Sequence, residues 1–182
     1  MRPADLAAAF LASGRHGREP SMPGLAEDLS GRAETARAWR TEGDQPVRAL
    51  LDGSHVTALR RVVEVWGWPG FALVGGAGSV AAVEIALLCA NAPLLRRLLR
   101  VLEGPVRTGD AALVFRALLH DRACVLEGQA GWYGTQQRAG PHVAGELWPV
   151  AEPALLAVRR AQAGLDPLDA AVADRAVHLT AA

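Results

Sequence analysis

The chain has 182 residues, of which 51% are hydrophobic and 21% charged, so it is long enough for one sizeable core and has the balance of a globular protein. Its 19 basic and 19 acidic residues cancel, and every basic residue is an arginine. A neutral chain with dispersed arginines does not have the positive field that binds nucleic acid or an anionic membrane.

The N-terminal segment lacks the form of a secretory signal, because Pro3 and Asp5 precede a short apolar stretch over 6–12. No apolar run reaches the ~20 residues that a membrane-spanning helix needs. Cys89 and Cys124 each lie in an apolar run, which is typical of buried thiols in a reducing compartment. We therefore expect a cytoplasmic protein.

Helical spacing of apolar residues dominates the chain and predicts a mainly α fold, a single-domain bundle of six or seven helices. We expect an N-terminal helix and linker segment over 1–24 and one helical domain over 25–182. The N-terminal helix is predicted over residues 4–12, and those of the domain cover residues 25–39, 54–66, 80–91, 94–102, 111–126, 153–164 and 168–177. Ser54 and Ser79 are expected to cap two of them, and Gly104–Pro105 to form a turn.

Residues 128–149 differ from the rest of the chain, since they include five glycines, two prolines, two tryptophans and the only tyrosine. This composition predicts a short Gly-rich loop or β-hairpin insert. Pro153 then suits the first turn of a following helix.

Two motifs suggest ligands but lack the context that would support them. Gly76–Ala81 matches the G-x-G-x-x-A form of a dinucleotide-binding loop, yet no second strand follows the next helix. His120 and Cys124 are four residues apart, a spacing that suits two metal ligands, but no further ligands follow at useful spacing. We therefore expect neither a metal nor another cofactor.

Asp121 and Tyr133 are the candidate acid–base pair, because a carboxylate at the end of an apolar helix is followed closely by a phenol. Arg122 is the candidate anion-binding residue. The alternative is structural, with Asp121 or Arg122 satisfying backbone groups of the glycine-rich segment. Further candidate binding residues are Glu127, Thr135, Gln136, Trp132 and Trp68.

Three segments occur in a recognisable order: Gly67-Trp68-Pro69, Asp121-Arg122 and Tyr133-Gly134-Thr135-Gln136. In this order the chain resembles a bacterial family of domains of unknown function, over roughly residues 40–170. The resemblance implies a helical domain with a short extended insert, and it implies no function.

The chain departs from the pattern of that family at one polar segment. Members of the family have a polar segment similar to Gln-His-x-Asp-His before the proline at position 93. In this chain, residues 87–91 read Leu-Leu-Cys-Ala-Asn instead. Gly131 stands where the family has Gln. The resemblance therefore implies a degenerate member, in which Glu84 is a candidate third acid–base residue because it shares a helix face with Leu87, Leu88 and Asn91.

These observations lead to three functional hypotheses. The first is an accessory, non-catalytic subunit of a heteromeric bacterial enzyme complex in specialised-metabolite biosynthesis, with Trp132 and Trp148 at the contact surface. The second is a stand-alone small-molecule enzyme that uses Asp121, Glu84 or Tyr133 with Arg122. The third is a protein that binds an apolar ligand near Leu87. A protein partner in a hetero- or homo-oligomer is expected, and nucleic acid and membranes are not.

Overall fold

The computed structural model describes residues 19–42, 45–138 and 146–168, and these residues are mainly α-helical, as predicted. The six α-helices of this part are α1 Pro23–Glu42, α2 Gln45–Trp66, α3 Phe71–Leu87, α4 Ala92–Thr108, α5 Leu113–Leu126 and α6 Leu156–Gln162, with a 3₁₀ helix at Pro153–Leu155. The predicted helix over 4–12 and nearly all of the one over 168–177 lie outside the described residues. None of the described helices is both long and apolar enough to cross a membrane.

The chain divides into two compact units, Met1–Ala112 and Leu113–Ala182. The first contains α1 to α4, and the second contains α5, the irregular insert, the 3₁₀ helix and α6. The assignment of residues 25–182 to one domain stays a prediction.

In the first unit, α3 is the buried helix, since residues 78–86 are all buried. It packs against α1, which contributes a stripe of Leu29, Ala33 and Ala36 at helical spacing. Gly78 permits this close packing, because a Cβ there would lie 3.2 Å from the Cα of Ala26 on α1. The burial predicted for this helix from its apolar composition is thus confirmed.

Several predicted helix boundaries in the first unit are wrong. The helix predicted over 80–91 ends at Leu87, so Asn91, which caps α4, does not share a helix face with Glu84. Ser54 lies inside α2, which begins nine residues earlier, at Gln45, with Pro46 in its first turn. Ser79 lies inside α3, which begins at Phe71 and is interrupted by Gly75 at φ 68° and ψ −176°, a conformation open essentially to glycine alone. Pro105 lies in the last turn of α4, and the turn comes after it, at Gly109.

In the second unit, the described part of the insert is irregular, with two isolated β-bridges, Gly131–Val150 and Gln137–Leu147. A small apolar cluster of Leu147, Val150 and Leu156, with Leu168 packed against it, joins the insert to α6. The predicted glycine-rich insert is confirmed, and Pro153 begins the helical segment that follows it.

Candidate functional site

Asp121 is the centre of the polar network in the second unit. It lies on the buried side of α5 and is only 1% exposed, although the helix around it is apolar. A buried carboxylate is stable only when its oxygens accept hydrogen bonds. The partners of Asp121 therefore determine what it does.

Four donors of the insert converge on the Asp121 carboxylate. Oδ1 accepts from the backbone N–H of Trp132 at 2.7 Å, and the N–H of Tyr133 reaches Oδ1 at 3.2 Å and Oδ2 at 3.1 Å. Oδ2 also accepts from the N–H and the hydroxyl of Thr135, both at 3.0 Å. The segment 132–135 thus wraps its backbone around one charged group, in the manner of an anion-binding nest.

The charge of Asp121 is retained despite its burial. Desolvation by itself raises the pKa of this carboxyl group, but hydrogen bonds from His120 and from the N–H groups of Thr135, Trp132 and Tyr133 lower it below its ordinary value. Because both oxygens are engaged by the chain itself, Asp121 is arranged as an anchor for the insert. This geometry favours the structural alternative over general acid–base work, and the catalytic assignment stays a prediction.

Gly131 fits the same network sterically. A Cβ at this position would lie 3.0 Å from both Cγ and Oδ1 of Asp121, closer than ordinary van der Waals contact. The absence of a side chain therefore allows the insert to approach the carboxylate from this side.

Arg160 holds the segment from the other side and was not among the residues predicted from the sequence. The residue is 3% exposed, and its guanidinium donates to the backbone oxygens of Tyr133 at 2.7 Å and Asp166 at 2.8 Å. Burial lowers the pKa of Arg160, while the charges of Asp121 and Asp166 oppose that change. Its position between the buried Leu156, at the start of α6, and the buried Ala163, just after its end, was a usable signal, because an arginine in a core position needs partners.

Tyr133 is buried, and its hydroxyl oxygen accepts a hydrogen bond from Nη1 of Arg116 at 3.3 Å. Its backbone lies between Asp121 and Arg160, so the residue is fixed at both its main chain and its side chain. Asp121 and Tyr133 are thus brought together through the backbone N–H of the tyrosine and not through the phenol that the acid–base prediction requires.

His120 lies at the junction of Asp121, Cys124 and Trp132. Its Nδ1 is 3.5 Å from Oδ1 of Asp121 and 3.8 Å from Sγ of Cys124. Burial by itself lowers the pKa of His120. Hydrogen bonds to Asp121 and Cys124, with the charges of these two groups, outweigh burial and raise the pKa from 6.5 to about 9. The imidazole is therefore positively charged at neutral pH. Among the described residues, no group of three or more His, Cys, Asp or Glu side chains has a metal-binding arrangement.

The charge of His120 makes the stability of the protein dependent on pH. Because the folded-state pKa of about 9 exceeds the ordinary 6.5, the stabilisation is complete below pH 6.5 and is lost as the pH rises through 9. We expect the free energy of unfolding of the wild type, relative to that of His120→Gln, to fall by about 2 kcal/mol over this range. Urea unfolding at several pH values measures it.

His55 provides the matched control for this experiment. Burial, with the nearby charge of Arg32, lowers the pKa of His55, so this side chain stays neutral across the same interval. His55→Gln should therefore leave the slope between pH 6.5 and 9 unchanged. If the difference in unfolding free energy between the wild type and His120→Gln does not change with pH, the charged state of His120 is contradicted.

Trp132 is the exposed residue of the network, with 45% of its surface accessible. Its ring lies 4.8 Å from the His120 ring, centroid to centroid, and the Arg159 guanidinium lies 5.4 Å from the indole centroid. Leu155, 45% exposed, lies four residues before Arg159 and three before Val158, so it shares a helical surface with each of them, and Val158 is 55% exposed. We call Trp132, Leu155, Val158 and Arg159 the Trp132 patch.

The remaining predicted site residues have different surroundings. In the first unit, Glu84 is buried and accepts a hydrogen bond from Nε of Arg37 at 3.1 Å, and Trp68 is buried. In the second unit, Arg122 is half-buried on α5 and Glu127 is exposed just after it. Gln136 donates to the Thr135 hydroxyl at 3.3 Å, which extends the Asp121 network.

Comparisons with known proteins add no relative to this description. No family model, no curated protein and no solved structure matches the chain. The resemblance to a bacterial family of domains of unknown function therefore stays a prediction.

Proposed function

We propose that this chain is a protein-binding accessory subunit that contacts its partner through the Trp132 patch. The observation that carries the proposal is an exposed tryptophan whose own backbone N–H is bonded at 2.7 Å to a buried carboxylate. Such a residue combines a large apolar surface with a fixed position. The expected partner is another protein of the same enzyme complex.

Rigid presentation of Trp132 supports binding energetically. Ordering a loop at an interface reduces affinity, and that loss is avoided when the loop is already fixed in the unbound protein. Asp121 and Arg160 fix the backbone on both sides of Tyr133, next to Trp132 in the chain. The segment therefore has the pre-organisation that a binding surface needs.

The chemistry of the Trp132 patch also suits a protein interface. Tryptophan and arginine are the residues most enriched among those that dominate binding energy. Arg159 donates to the backbone oxygen of Ala151 at 2.7 Å and to Glu152 at 2.9 Å, so its guanidinium is held in place over the indole. Leu155 and Val158 add apolar surface that a partner would exclude from water.

The acid–base alternative has weaker support. A general base needs an oxygen directed at the substrate, whereas both oxygens of Asp121 accept hydrogen bonds from the insert. Glu84 has Arg37 as its ion-pair partner, so its carboxylate also has a structural role. The accessory function explains the exposed tryptophan, which the enzymatic hypothesis does not require.

Replacing Trp132 with Ser tests the proposal. Affinity-tagged wild-type chain, purified from its native host, should retain a stoichiometric partner that mass spectrometry identifies. With the purified partner, Trp132→Ser is expected to raise the Kd by about 30-fold or more, the effect of losing a central aromatic contact worth at least ~2 kcal/mol. Isothermal titration calorimetry measures it.

Trp66→Ser is the matched control, because Trp66 is 56% exposed but lies at the end of α2 in the first unit. This substitution should change the Kd by less than about twofold, because Trp66 is not part of the Trp132 patch. Equal loss of binding in both variants, or a monomer that retains no partner, would overturn the proposal.

A further inference from the structure

The two cysteines of the chain have contrasting partners. Both are buried, at 2% exposure for Cys89 and 3% for Cys124. The thiol of Cys89 donates to the backbone oxygen of Asn91 at 3.3 Å, and it must keep its proton to make that bond. The sulfur of Cys124 instead lies 3.8 Å from Nδ1 of His120.

The helix geometry of α5 creates the pair of His120 and Cys124. Residues four apart lie on the same face of a helix, so the imidazole and the thiol face each other one turn apart. Asp121 approaches the same Nδ1 at 3.5 Å and favours a positively charged ring. A cation beside a sulfur stabilises its anionic form, which is the reactive one.

We propose that Cys124 is a nucleophilic thiol, activated by His120, that takes soft carbon electrophiles. The imidazolium of His120 stabilises the anionic sulfur, and the thiol proton passes to solvent. A lone pair of the anionic sulfur then forms the S–C bond, and the leaving group departs with the electrons of the bond that breaks. The site lies beneath Trp132, whose ring contacts the His120 ring at 4.8 Å.

Labelling of the native, full-length chain with iodoacetamide at pH 7 tests this activation. Peptide mass spectrometry measures the rate of adduct formation at each cysteine, with iodide as the leaving group. Because Cys89 is equally buried, it corrects for limited access. We expect Cys124 to react at least about tenfold faster than Cys89, as thiols beside a cation do.

Removing the imidazole should abolish the difference. In His120→Gln, the rate at Cys124 is expected to fall to within about threefold of the rate at Cys89, which should itself stay unchanged. The substitution could also loosen the insert and expose the sulfur. Comparing Trp132→Ala with Trp132→Ala/His120→Gln controls for this exposure, because both variants lack the indole above the His120 ring. Cys124 should be labelled rapidly in the first variant only.

Two results would overturn the proposal. One is equal labelling of Cys89 and Cys124 in the wild type. The other is an undiminished rate at Cys124 when His120→Gln is added to Trp132→Ala. Should the histidine variants not fold, the wild-type rates at pH 7 decide the question, and a rate at Cys124 that is less than about tenfold above the rate at Cys89 would refute the activation.

Discussion

Asp121→Asn is expected to lower the free energy of unfolding by about 3 to 5 kcal/mol, the range for breaking a buried, fully bonded charge. The carboxylate accepts from Trp132, Tyr133 and Thr135 and is 1% exposed. An asparagine in its place loses the charge and directs an NH₂ group at backbone donors. Urea unfolding followed by tryptophan fluorescence measures the change.

Asp28→Asn is the control for Asp121→Asn. Asp28 pairs with Arg32 at 2.8 Å, but its side chain is 47% exposed, and an exposed ion pair contributes less than about 1 kcal/mol. If Asp121→Asn instead unfolds like the wild type while an activity of the protein is lost, the anchoring role is refuted and the acid–base alternative gains support.

Arg160→Met is expected to lower the free energy of unfolding by about 3 kcal/mol. The variant keeps the apolar stem but leaves the buried backbone oxygens of Tyr133 and Asp166 without their charged donor. Hydrogen exchange should show faster exchange at the N–H groups of the segment 132–135, since that segment loses one of its two anchors.

Arg32→Met provides the comparison for Arg160→Met, because Arg32 is a partly exposed arginine whose ion pair lies on the surface of α1. Its expected effect is below about 1 kcal/mol. The neighbouring Arg159→Met should mainly weaken partner binding, as Arg159 covers the Trp132 ring. Equal stability losses in Arg160→Met and Arg32→Met would show that the buried guanidinium does not hold the insert.

Local sequence patterns predict the fold where one helix face decides the outcome. Ala33 and Ala36 on α1 and the apolar composition of α3 both predict burial, and both are buried, whereas Trp39, predicted on the same inward edge, is 38% exposed. The same patterns misplace Ser54 and Ser79, because a serine suits a helix interior as well as a cap when tertiary packing stabilises the longer helix. The interruption at Gly75 depends on packing that a linear pattern does not contain.

The candidate site is predictable only in part for a related reason. Asp121 and Tyr133 are close in sequence, and their order suggests a network between the helix end and the insert. Arg160 joins that network from 27 residues beyond Tyr133, through backbone oxygens that have no sequence signature. The position of the His120 ring under Trp132 likewise depends on the path of the insert.

The contact between Gly131 and Asp121 has a consequence for the history of this protein. A side chain at position 131 would lie 3.0 Å from the carboxylate, so the two positions cannot change independently. A relative with a larger residue at 131, such as a glutamine, is expected to have a shifted insert or a different residue at 121. Covariation between these two positions would therefore mark the branch of the lineage in which the insert took its present conformation.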